Sequence, residues 1–386
     1  MKKWVIVGPA HPLRGGIAAL NERLAQALAT AKEIVRIESF SLQYPDFLFP
    51  GKTQYSDSPP PKDLHIDTSI NAISPLNWWK IGNKIARERP DCVVFRYWLP
   101  FMSPCLGTIA RLVRRNGHTV VLCIADNILP HEKRLFDTSL TQYFVSAIDG
   151  FLSMSQSVLD DLALFDTTKP RTLSPHPLYD HFGEKMSRSE ALTRLQLPDT
   201  ARYLLFFGLI RDYKGLDILL EAFATLRTQY NSVKLIVAGE FYADPSSYLK
   251  QIAALGLEEH LILHDRYIPD EEVAPYFCAA DMVVQPYKHA TQSGVTQIAY
   301  HFERPMLVTR VGGLSEMVPD GKVGYVVEPS SQAVATALVD FYEHQRSSYF
   351  EQNVVGEKQR YTWDKMVAAL ESLYQTCRNK KTLPNS

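Results

Sequence analysis

Short apolar runs alternate along the chain with longer segments in which apolar residues recur every three or four positions. The runs that predict buried strands are residues 4–8, 92–95, 119–124, 150–154, 203–208, 233–240, 261–264 and 306–309. The segments between many of them have helical spacing, as in Ile17, Leu20, Leu24 and Leu28. Strands that alternate with amphipathic helices are typical of parallel sheets covered by helices. The pattern therefore predicts an α/β protein.

Residues 283–329 contain the densest succession of these signals. An apolar run at 283–284 is followed by a polar loop at 288–292, and Ser293 opens a helix. The apolar face of that helix has the spacing i, i+3, i+4 and i+7 at Val295, Ile298, Ala299 and Phe302. A helix N-terminus after a parallel strand presents unpaired N–H groups and a partial positive charge, which suit a phosphate. The alternative is an ordinary βαβ unit that binds nothing.

Two motifs in this stretch carry a resemblance to a known family. Residues 305–308 read Pro-Met-Leu-Val, and residues 312–316 read Gly-Gly-Leu-Ser-Glu. The stretch resembles the donor-binding core of retaining GT-B glycosyltransferases, in particular glycosyltransferase family four. The two glutamates usual in that family fall on Ala290 and Ile298, and residues 291–295 resemble the variant loop of one bacterial branch. The resemblance implies donor contacts from Ser293, Gly294, Val295 and Gln297.

A second basic loop follows the strand at 203–208. Gly208 ends the strand, and Arg211 and Lys214 precede Gly215. The family's common form is Gly-Arg-Leu-x-x-x-Lys-Gly, from which this loop departs by placing Leu209 in the arginine position. An arginine and a lysine on one loop can hold a diphosphate, the arginine through two parallel hydrogen bonds and the lysine as a point charge. The alternative is a pair of solvated basic residues.

The first half of the chain carries weaker signals. Gly15 and Gly16 lie in a glycine loop between a strand and a helix, where the family places a loop that faces the donor phosphates. Asp126 and His131 follow a buried strand, and Asp126 occupies the position of the first histidine in a branch pattern like His-Asn-x-x-Pro-His-Glu. We expect both to border the sugar and the acceptor. The alternatives are a simple chain reversal at the glycines and a capping or loop role for His131.

The resemblance covers nearly the whole chain and is stronger in its second half. It implies a GT-B fold, with two doubly wound Rossmann-like α/β domains and a cleft between them. We expect residues 1–180 to form the acceptor-side domain and residues 181–361 the nucleotide-sugar domain. A C-terminal helix over 362–386 would pack back on the first domain.

The composition argues against several classes of protein and of site. The 386 residues have a formal net charge of −1, so no basic field predicts binding to nucleic acid. The five cysteines are far apart and form no Cys-x-x-Cys pair, which indicates neither a zinc site nor a disulfide framework. No secretory signal or membrane span is visible in the sequence, so we expect a cytoplasmic protein. No Asp-x-Asp is placed at a strand end, so we expect no metal and no other cofactor.

The function that the resemblance implies is transfer of a sugar from a nucleotide diphosphate sugar, with retention, in polysaccharide biosynthesis. The acceptor would be a glycan, a lipid-linked molecule or a small molecule. Asp126, His131, Arg211 and Lys214 are the predicted catalytic residues. The alternatives are a GT-B epimerase or phosphorylase and a donor-binding or scaffold protein with weak catalysis. Phosphorylases of this fold use pyridoxal phosphate on a lysine, so a visible-absorbance check tests that alternative. Sugar-nucleotide turnover with and without an acceptor separates the scaffold protein.

A tryptophan-rich segment adds a question about location. Residues 75–88 predict an amphipathic helix with Trp78, Trp79, Lys80 and Lys84. Such a helix fits contact with the inner face of a membrane. The alternative, which is more common, is a helix that faces the core and has a solvated basic side.

Overall fold

The computed structural model describes residues 1–45, 54–56, 59–129, 136–290 and 293–382. The chain forms two compact units. Unit 1 comprises Met1–His176 and Trp363–Ser386, and unit 2 comprises Pro177–Thr362. The C-terminal segment therefore belongs to the unit built by the first part of the chain.

Unit 1 is an α/β unit whose strands and helices alternate. Its strands are β1 (Lys3–Val7), β2 (Ile34–Leu42), β3 (Ile66–Asn71), β4 (Cys92–Tyr97), β5 (Val120–Ala125), β6 (Gly150–Ser153) and β7 (Arg171–Leu173). Its helices are α1 (Gly16–Thr30), α2 (Pro75–Glu88), α3 (Ser103–Arg114), α4 (Asp137–Val145), α5 (Gln156–Ala163) and, after unit 2 in the chain, α14 (Trp363–Thr382). Within the described residues the sheet is parallel and has the order β3-β2-β1-β4-β5-β6-β7.

The core of unit 1 lies on both faces of this sheet. Every residue of β4 and β5 is buried, as expected for central parallel strands that read as continuous apolar runs. Helix α14 packs directly on β6, because a Cβ added to Gly150 would lie 2.5 Å from the Cys377 sulfur. Covering a sheet on both faces removes apolar surface from water and supplies most of the favourable free energy of folding.

Unit 2 repeats the architecture. Its strands are β8 (Arg202–Phe207), β9 (Val233–Ala238), β10 (Leu261–His264), β11 (Met282–Gln285), β12 (Met306–Thr309) and β13 (Gly324–Val327). Its helices are α6 (Arg188–Leu195), α7 (Leu216–Arg227), α8 (Ser246–Ala254), α9 (Asp270–Ala279), α10 (Gly294–His301), α11 (Leu314–Met317), α12 (Ser331–Glu343) and α13 (Ser347–Glu357). In the described part of the unit the sheet is parallel, with the order β10-β9-β8-β11-β12-β13.

The strand order fixes where each unit can bind a ligand. In unit 2 the chain builds outward from β8 in one direction and then returns to add β11 on its other side. Neighbouring loops diverge at such a switch point, and open α/β sheets bind ligands there, beyond the carboxyl ends of the strands. The loops after β8 and β11 therefore line the predicted position. They contain both of the motifs that the sequence singled out in this unit.

Glycine is required where these two loops meet. Gly215 has a φ of +69°, and a Cβ added to it would lie 2.0 Å from the Pro286 carbonyl oxygen. It follows a short 3-10 turn, Asp212–Lys214, and is the residue before α7. Only a residue without a side chain lets the β8 loop approach the backbone after β11 this closely.

We expect Gly215→Ala to destabilise the protein more than a matched glycine substitution. Gly256 is the control, because it has a similar φ of +62° but nothing within 4 Å of an added Cβ. Gly256→Ala should cost about 1–2 kcal/mol for the left-handed backbone alone. Gly215→Ala should cost about 1–3 kcal/mol more, because the new methyl group meets the backbone. Thermal and urea unfolding of the two variants checks this, and equal losses would contradict the close approach.

Candidate functional site

The candidate site in unit 2 is the switch point between β8 and β11. The two strands pair in parallel, with Met282 opposite Leu204 and Val283 opposite Leu205. Gly208 follows β8 with a φ of +92°. A Cβ added there would lie 3.2 Å from the Lys214 Nζ and 3.6 Å from the Val295 Cγ2. These contacts bring together Gly208, Lys214 and the first turn of α10, which the sequence predicted from two separate motifs.

Lys214 is a buried, positively charged side chain at the switch point. Its side chain is buried, and its Nζ lies 5.7 Å from the centre of the Tyr287 ring. Within the described residues no carboxylate forms an ion pair with it. Burial first, and the charge of Arg211 second, lower the pKa of Lys214 from its ordinary 10.5 to about 8. A buried ammonium without an anionic partner is costly, so this group is prepared for a negative ligand.

The other two basic residues of the region play different parts. Arg211 is exposed, and its guanidinium lies 4.0 Å from the centre of the Tyr242 ring. Lys288, in contrast, is 2.9 Å from a carboxylate oxygen of Asp212 and 2.9 Å from one of Asp217. Lys288 therefore ties the turn that carries Lys214 to the loop after β11. Because Lys288 engages these two aspartates, it leaves the charges of Arg211 and Lys214 available.

The start of α10 contributes backbone donors. Ser293 is the N-cap residue, but its side chain makes no capping hydrogen bond. Its hydroxyl instead donates to the Gln285 Oε1 at 2.7 Å, and the Thr296 hydroxyl donates to the same oxygen at 3.1 Å. The N-cap side chain therefore does not satisfy the first-turn N–H groups of α10, which include those of Gly294 and Val295. Such groups bind anions.

Gln297, the last residue of α10 that we predicted to contact the sugar donor, lies in a different environment from the one we expected. We expected its side chain on the polar side of α10, but it is 1% exposed. Neither its amide oxygen nor its amide nitrogen has a hydrogen-bond partner among the described residues. Gly294 also has close surroundings, since a Cβ added to it would lie 3.0 Å from the Tyr179 ring. Residues 291 and 292, which complete the variant loop, lie outside the described residues.

The two positions where the family usually has glutamates are apolar in structure as well as in sequence. Ile298 is buried in the core of unit 2, and Ala290 packs against that core. Neither position supplies a hydrogen-bonding side chain. Contacts to the ribose and the sugar must therefore come from other groups.

In unit 1 the glycine loop precedes α1. Gly15 is the N-cap residue of α1, has a φ of +120° and has open space around an added Cβ, and Gly16 is the first helical residue. No side chain at the N-cap satisfies the first amides of the helix, because glycine has none. The geometry is compatible with the predicted contact of this loop with a phosphate.

Asp126 forms a buried ion pair that the sequence did not reveal. Its two carboxylate oxygens each accept a hydrogen bond of 2.5 Å from Arg96, whose side chain is 2% exposed. Arg96 lies next to Gly8, since a Cβ added to Gly8 would be 2.9 Å from the Arg96 Cβ and 2.7 Å from the Asn21 amide nitrogen. Both oxygens of Asp126 are therefore used to neutralise and orient Arg96. His131 lies outside the described residues, as do its neighbours Pro130 and Glu132.

Sequence reasoning missed Arg96 and Gln285, although each carries a signal. Arg96 is the one charged residue in the strand Cys92–Tyr97, and Gln285 is the polar end of the apolar strand Met282–Gln285. A polar residue at the carboxyl end of a buried parallel strand faces the ligand edge of the sheet. That rule would have identified both.

Two kinds of feature are absent from the described residues. They contain no group of three or more His, Cys, Asp or Glu side chains arranged to hold a metal ion. They also contain no helix that is both long enough and apolar enough to cross a membrane.

The second unit is similar to known glycosyltransferases. Residues 201–344 match the family model described as glycosyl transferases group 1. A D-inositol 3-phosphate glycosyltransferase of Catenulispora acidiphila is 29% identical over 246 residues, which are 60% of this chain and 58% of that protein. A lipopolysaccharide 1,2-N-acetylglucosaminetransferase of Salmonella typhimurium is 29% identical over 191 residues, which are 46% of this chain and 49% of that protein. The chain thus matches between about half and three fifths of these relatives' lengths.

Solved structures share the fold over nearly the full chain. A glycosyltransferase from Rickettsia africae has a TM-score of 0.72 at 14% identity, with 97% of this chain and 98% of that chain covered. Anabaena HepE, solved in complex with UDP, has a TM-score of 0.70 at 17% identity, with 98% of this chain and 100% of that chain covered. The predicted fold and the predicted resemblance are confirmed. This protein has the GT-B fold, and residues 201–344 of its second unit match the glycosyl transferases group 1 model.

Proposed function

We propose that the protein is a retaining glycosyltransferase that moves a sugar from a nucleoside diphosphate sugar to a hydroxyl acceptor. The observation that carries the proposal is the buried ammonium of Lys214, which lies at the switch point and has no acidic partner among the described residues. The open N-terminus of α10 contributes the second half of an anion site. Retention is supported by the resemblance to family four.

The chemistry of transfer explains why such a site is needed. The bond between the anomeric carbon and the diphosphate oxygen breaks, and the acceptor oxygen forms the new bond and passes its proton to an oxygen of the departing diphosphate. Negative charge grows on the departing diphosphate as its bond breaks. Lys214, Arg211 and the amides of Gly294 and Val295 are fixed donors that stabilise this charge without reorganising. Preorganised donors of this kind act on the rate as well as on binding.

The names and titles of similar proteins support a nucleotide-sugar donor. HepE is described in complex with UDP, with UDP and glucose, and with UDP-glucose. The relatives are named for transfer to inositol 3-phosphate and for N-acetylglucosamine transfer in lipopolysaccharide. We propose a glycan, a lipid-linked molecule or a small molecule as the acceptor here. A thermal-shift screen of UDP-, GDP- and ADP-sugars identifies the base, because a ligand that binds only the folded state raises the unfolding temperature.

The sugar and ribose contacts depend on neutral groups. With Ala290 and Ile298 in place of glutamates, no carboxylate accepts hydrogen bonds from donor hydroxyls at these positions. The amide of Gln297, without a partner in the described residues, is our candidate for the ribose. A neutral amide binds a hydroxyl about half as strongly as a carboxylate does.

Lys214→Met tests the diphosphate site. In the ligand-free protein we expect the variant to unfold at a higher temperature, with a gain of about 1–3 kcal/mol near pH 7, because a buried charge is removed. We also expect the thermal shift caused by the cognate nucleoside diphosphate to be lost and turnover to fall on the order of 10²-fold. Lys250→Met is the control, since Lys250 is exposed on α8.

The pH dependence of binding adds a second measurement. The pKa of Lys214 is lowered to about 8, so the free protein loses this charge as the pH rises through that value. A bound diphosphate raises the pKa again, and wild-type affinity should fall about tenfold per pH unit above 8. The Lys214→Met variant should show no such fall. Tight, pH-independent binding by this variant would show that Lys214 does not contact the diphosphate.

Asp126 requires a conservative variant, because it pairs with a buried arginine. Asp126→Ala would leave Arg96 unpaired and should cost about 3 kcal/mol of stability. Asp126→Asn keeps the shape and one acceptor oxygen, so it should retain the fold. If Asp126 and Arg96 act on the sugar or the acceptor, this variant lowers kcat with little change in the donor dissociation constant. Unchanged steady-state kinetics would assign Asp126 a purely structural role.

A second proposal concerns membrane contact, and a surface patch on α2 favours it. Trp78 is half-buried, and its indole N–H donates to the Asn71 carbonyl at 2.8 Å, so it offers less free surface than Trp79. Lys84 is likewise engaged, at 2.9 Å from Asp67. Exposed apolar side chains nevertheless cluster at the start of the helix, with Leu76 83%, Trp79 61% and Ile73 50% exposed. The exposed ammonium of Lys80 is adjacent to them in sequence.

We expect the wild-type protein to sediment with vesicles that contain anionic phosphatidylglycerol. The double variant Leu76→Ala/Trp79→Ala should lose most of this binding, because it removes the largest apolar groups of the patch. Leu164→Ala is the control, since Leu164 is 73% exposed elsewhere on unit 1. If wild-type protein stays in the supernatant, or if the control loses as much binding, the patch is not a membrane contact.

A further inference from the structure

A tyrosine from the segment at the start of unit 2 lies against the first turn of α10. A Cβ added to Gly294 would lie 3.0 Å from the Tyr179 Cε2 and 3.8 Å from both the Cδ2 and the Cζ of the same ring. Cε2 is bonded to Cζ, the ring carbon that carries the hydroxyl. The ring edge next to the hydroxyl therefore faces the helix N-terminus at which we place the diphosphate.

The ring explains why a glycine begins α10. Gly294 does not have a positive φ, so its backbone conformation does not require glycine. Glycine is also a poor helix former, because it loses more backbone entropy on folding than other residues. A side chain at this position would meet the Tyr179 ring at less than an ordinary van der Waals distance. The glycine thus lets the ring lie beside the first amides of the helix.

The segment that carries Tyr179 is fixed to unit 2. The Leu178 N–H donates to the Tyr361 carbonyl at 2.9 Å, and the Leu178 side chain lies in the core of the unit. Five residues later, the Gly183 carbonyl accepts a hydrogen bond of 2.8 Å from His301 at the end of α10. Tyr179 lies between these two anchors and packs against the same core. Contacts within unit 2 therefore hold the ring in place before any ligand binds.

The buried ammonium of Lys214 points to the same turn. A Cβ added to Gly208 would lie 3.2 Å from the Lys214 Nζ and 3.6 Å from the Val295 Cγ2. Lys214 is 9% exposed, and no carboxylate pairs with it within the described part of the chain. Val295 follows Gly294 in the helix. Tyr179 and Lys214 therefore border consecutive residues of one helical turn, whose amides are the proposed anion donors.

We propose that Tyr179 is a donor-binding residue whose hydroxyl donates a hydrogen bond to the diphosphate at the N-terminus of α10. The inference rests on the proposed function and adds a contact that lies in neither motif of unit 2. A hydrogen bond to an ionised acceptor is about twice as strong as one between neutral groups. The apolar part of the ring also excludes water from one side of the phosphate. A drier site strengthens the contacts made by the lysine and the amides.

The test is isothermal titration of the full chain with UDP, GDP and ADP, repeated on variants with the nucleotide that binds most tightly. Tyr179→Phe keeps the ring and removes the hydroxyl, so it should weaken binding about tenfold, the effect of losing a hydrogen bond to a charged group. Tyr179→Ala should weaken binding further, because water then reaches the phosphate. Tyr349→Phe is the control, since Tyr349 is 52% exposed on α13 of the same unit.

A double-mutant cycle tests the contact between the ring and the helix. Gly294→Ala places a methyl group against the Tyr179 ring and should weaken nucleotide binding in the wild-type background. In the Tyr179→Ala background the same methyl group meets open space and should have little effect. The two substitutions should be coupled by about threefold or more, as expected for residues in contact. Independent, additive effects would overturn the placement of Tyr179 at this turn.

The outcomes separate this inference from the proposed function. Nucleotide binding that Lys214→Met and Tyr179→Phe both weaken, and that Tyr349→Phe leaves intact, supports the inference. Binding that Lys214→Met weakens and Tyr179→Phe leaves unchanged would overturn the tyrosine contact and keep the diphosphate site. Absence of binding of all three nucleotides at about 10 mM, a concentration above typical KM values, would overturn both.

Discussion

A lysine ammonium that is buried without a counter-charge constrains much of unit 2. Lys214 lies on a turn that also contains Asp212, yet Asp212 pairs with Lys288 and not with Lys214. Asp217, at the start of α7, pairs with Lys288 as well. The fold thus places two carboxylates near the loop and engages both, so the cost of desolvating Lys214 is left uncompensated. An anion that binds next to Lys214 offsets this cost, so the unfavourable burial in the free protein strengthens binding of the ligand. A preorganised site works in this way.

The residues around Lys214 also leave room for a ligand. Gly215 lets the turn approach the carbonyl of Pro286, and Gly208 leaves room for the ammonium beside Val295. Ser293 could cap α10 but donates its hydroxyl to Gln285 instead. The Lys214 ammonium and the first amides of α10 therefore lack the partners that a protein interior usually provides. Unit 1 shows the opposite arrangement at Asp126, where a buried arginine is fully paired with its carboxylate.

Local patterns in the sequence predicted most of the central strands and helices, but not β2 and β3 on one side of the first sheet. The helix face of Val295, Ile298, Ala299 and Phe302 is buried as its spacing predicted. The pairing of Arg96 with Asp126 could not be predicted in this way, because it depends on β4 and β5 lying side by side. The burial of Gln297 was missed for a related reason. Helical periodicity shows which face is apolar, but it does not show what covers the other face.

The choice of a lysine at the diphosphate site makes that site sensitive to pH. The pKa of Lys214 is lowered to about 8, so its charge is lost in mildly alkaline solution. An arginine in the same place would keep its charge throughout the pH range in which proteins fold. The ammonium is costly to bury without a counter-charge, so at neutral pH the group that binds the diphosphate also lowers the stability of the ligand-free unit. Deprotonation above about pH 8 removes this cost and the affinity for the anion together.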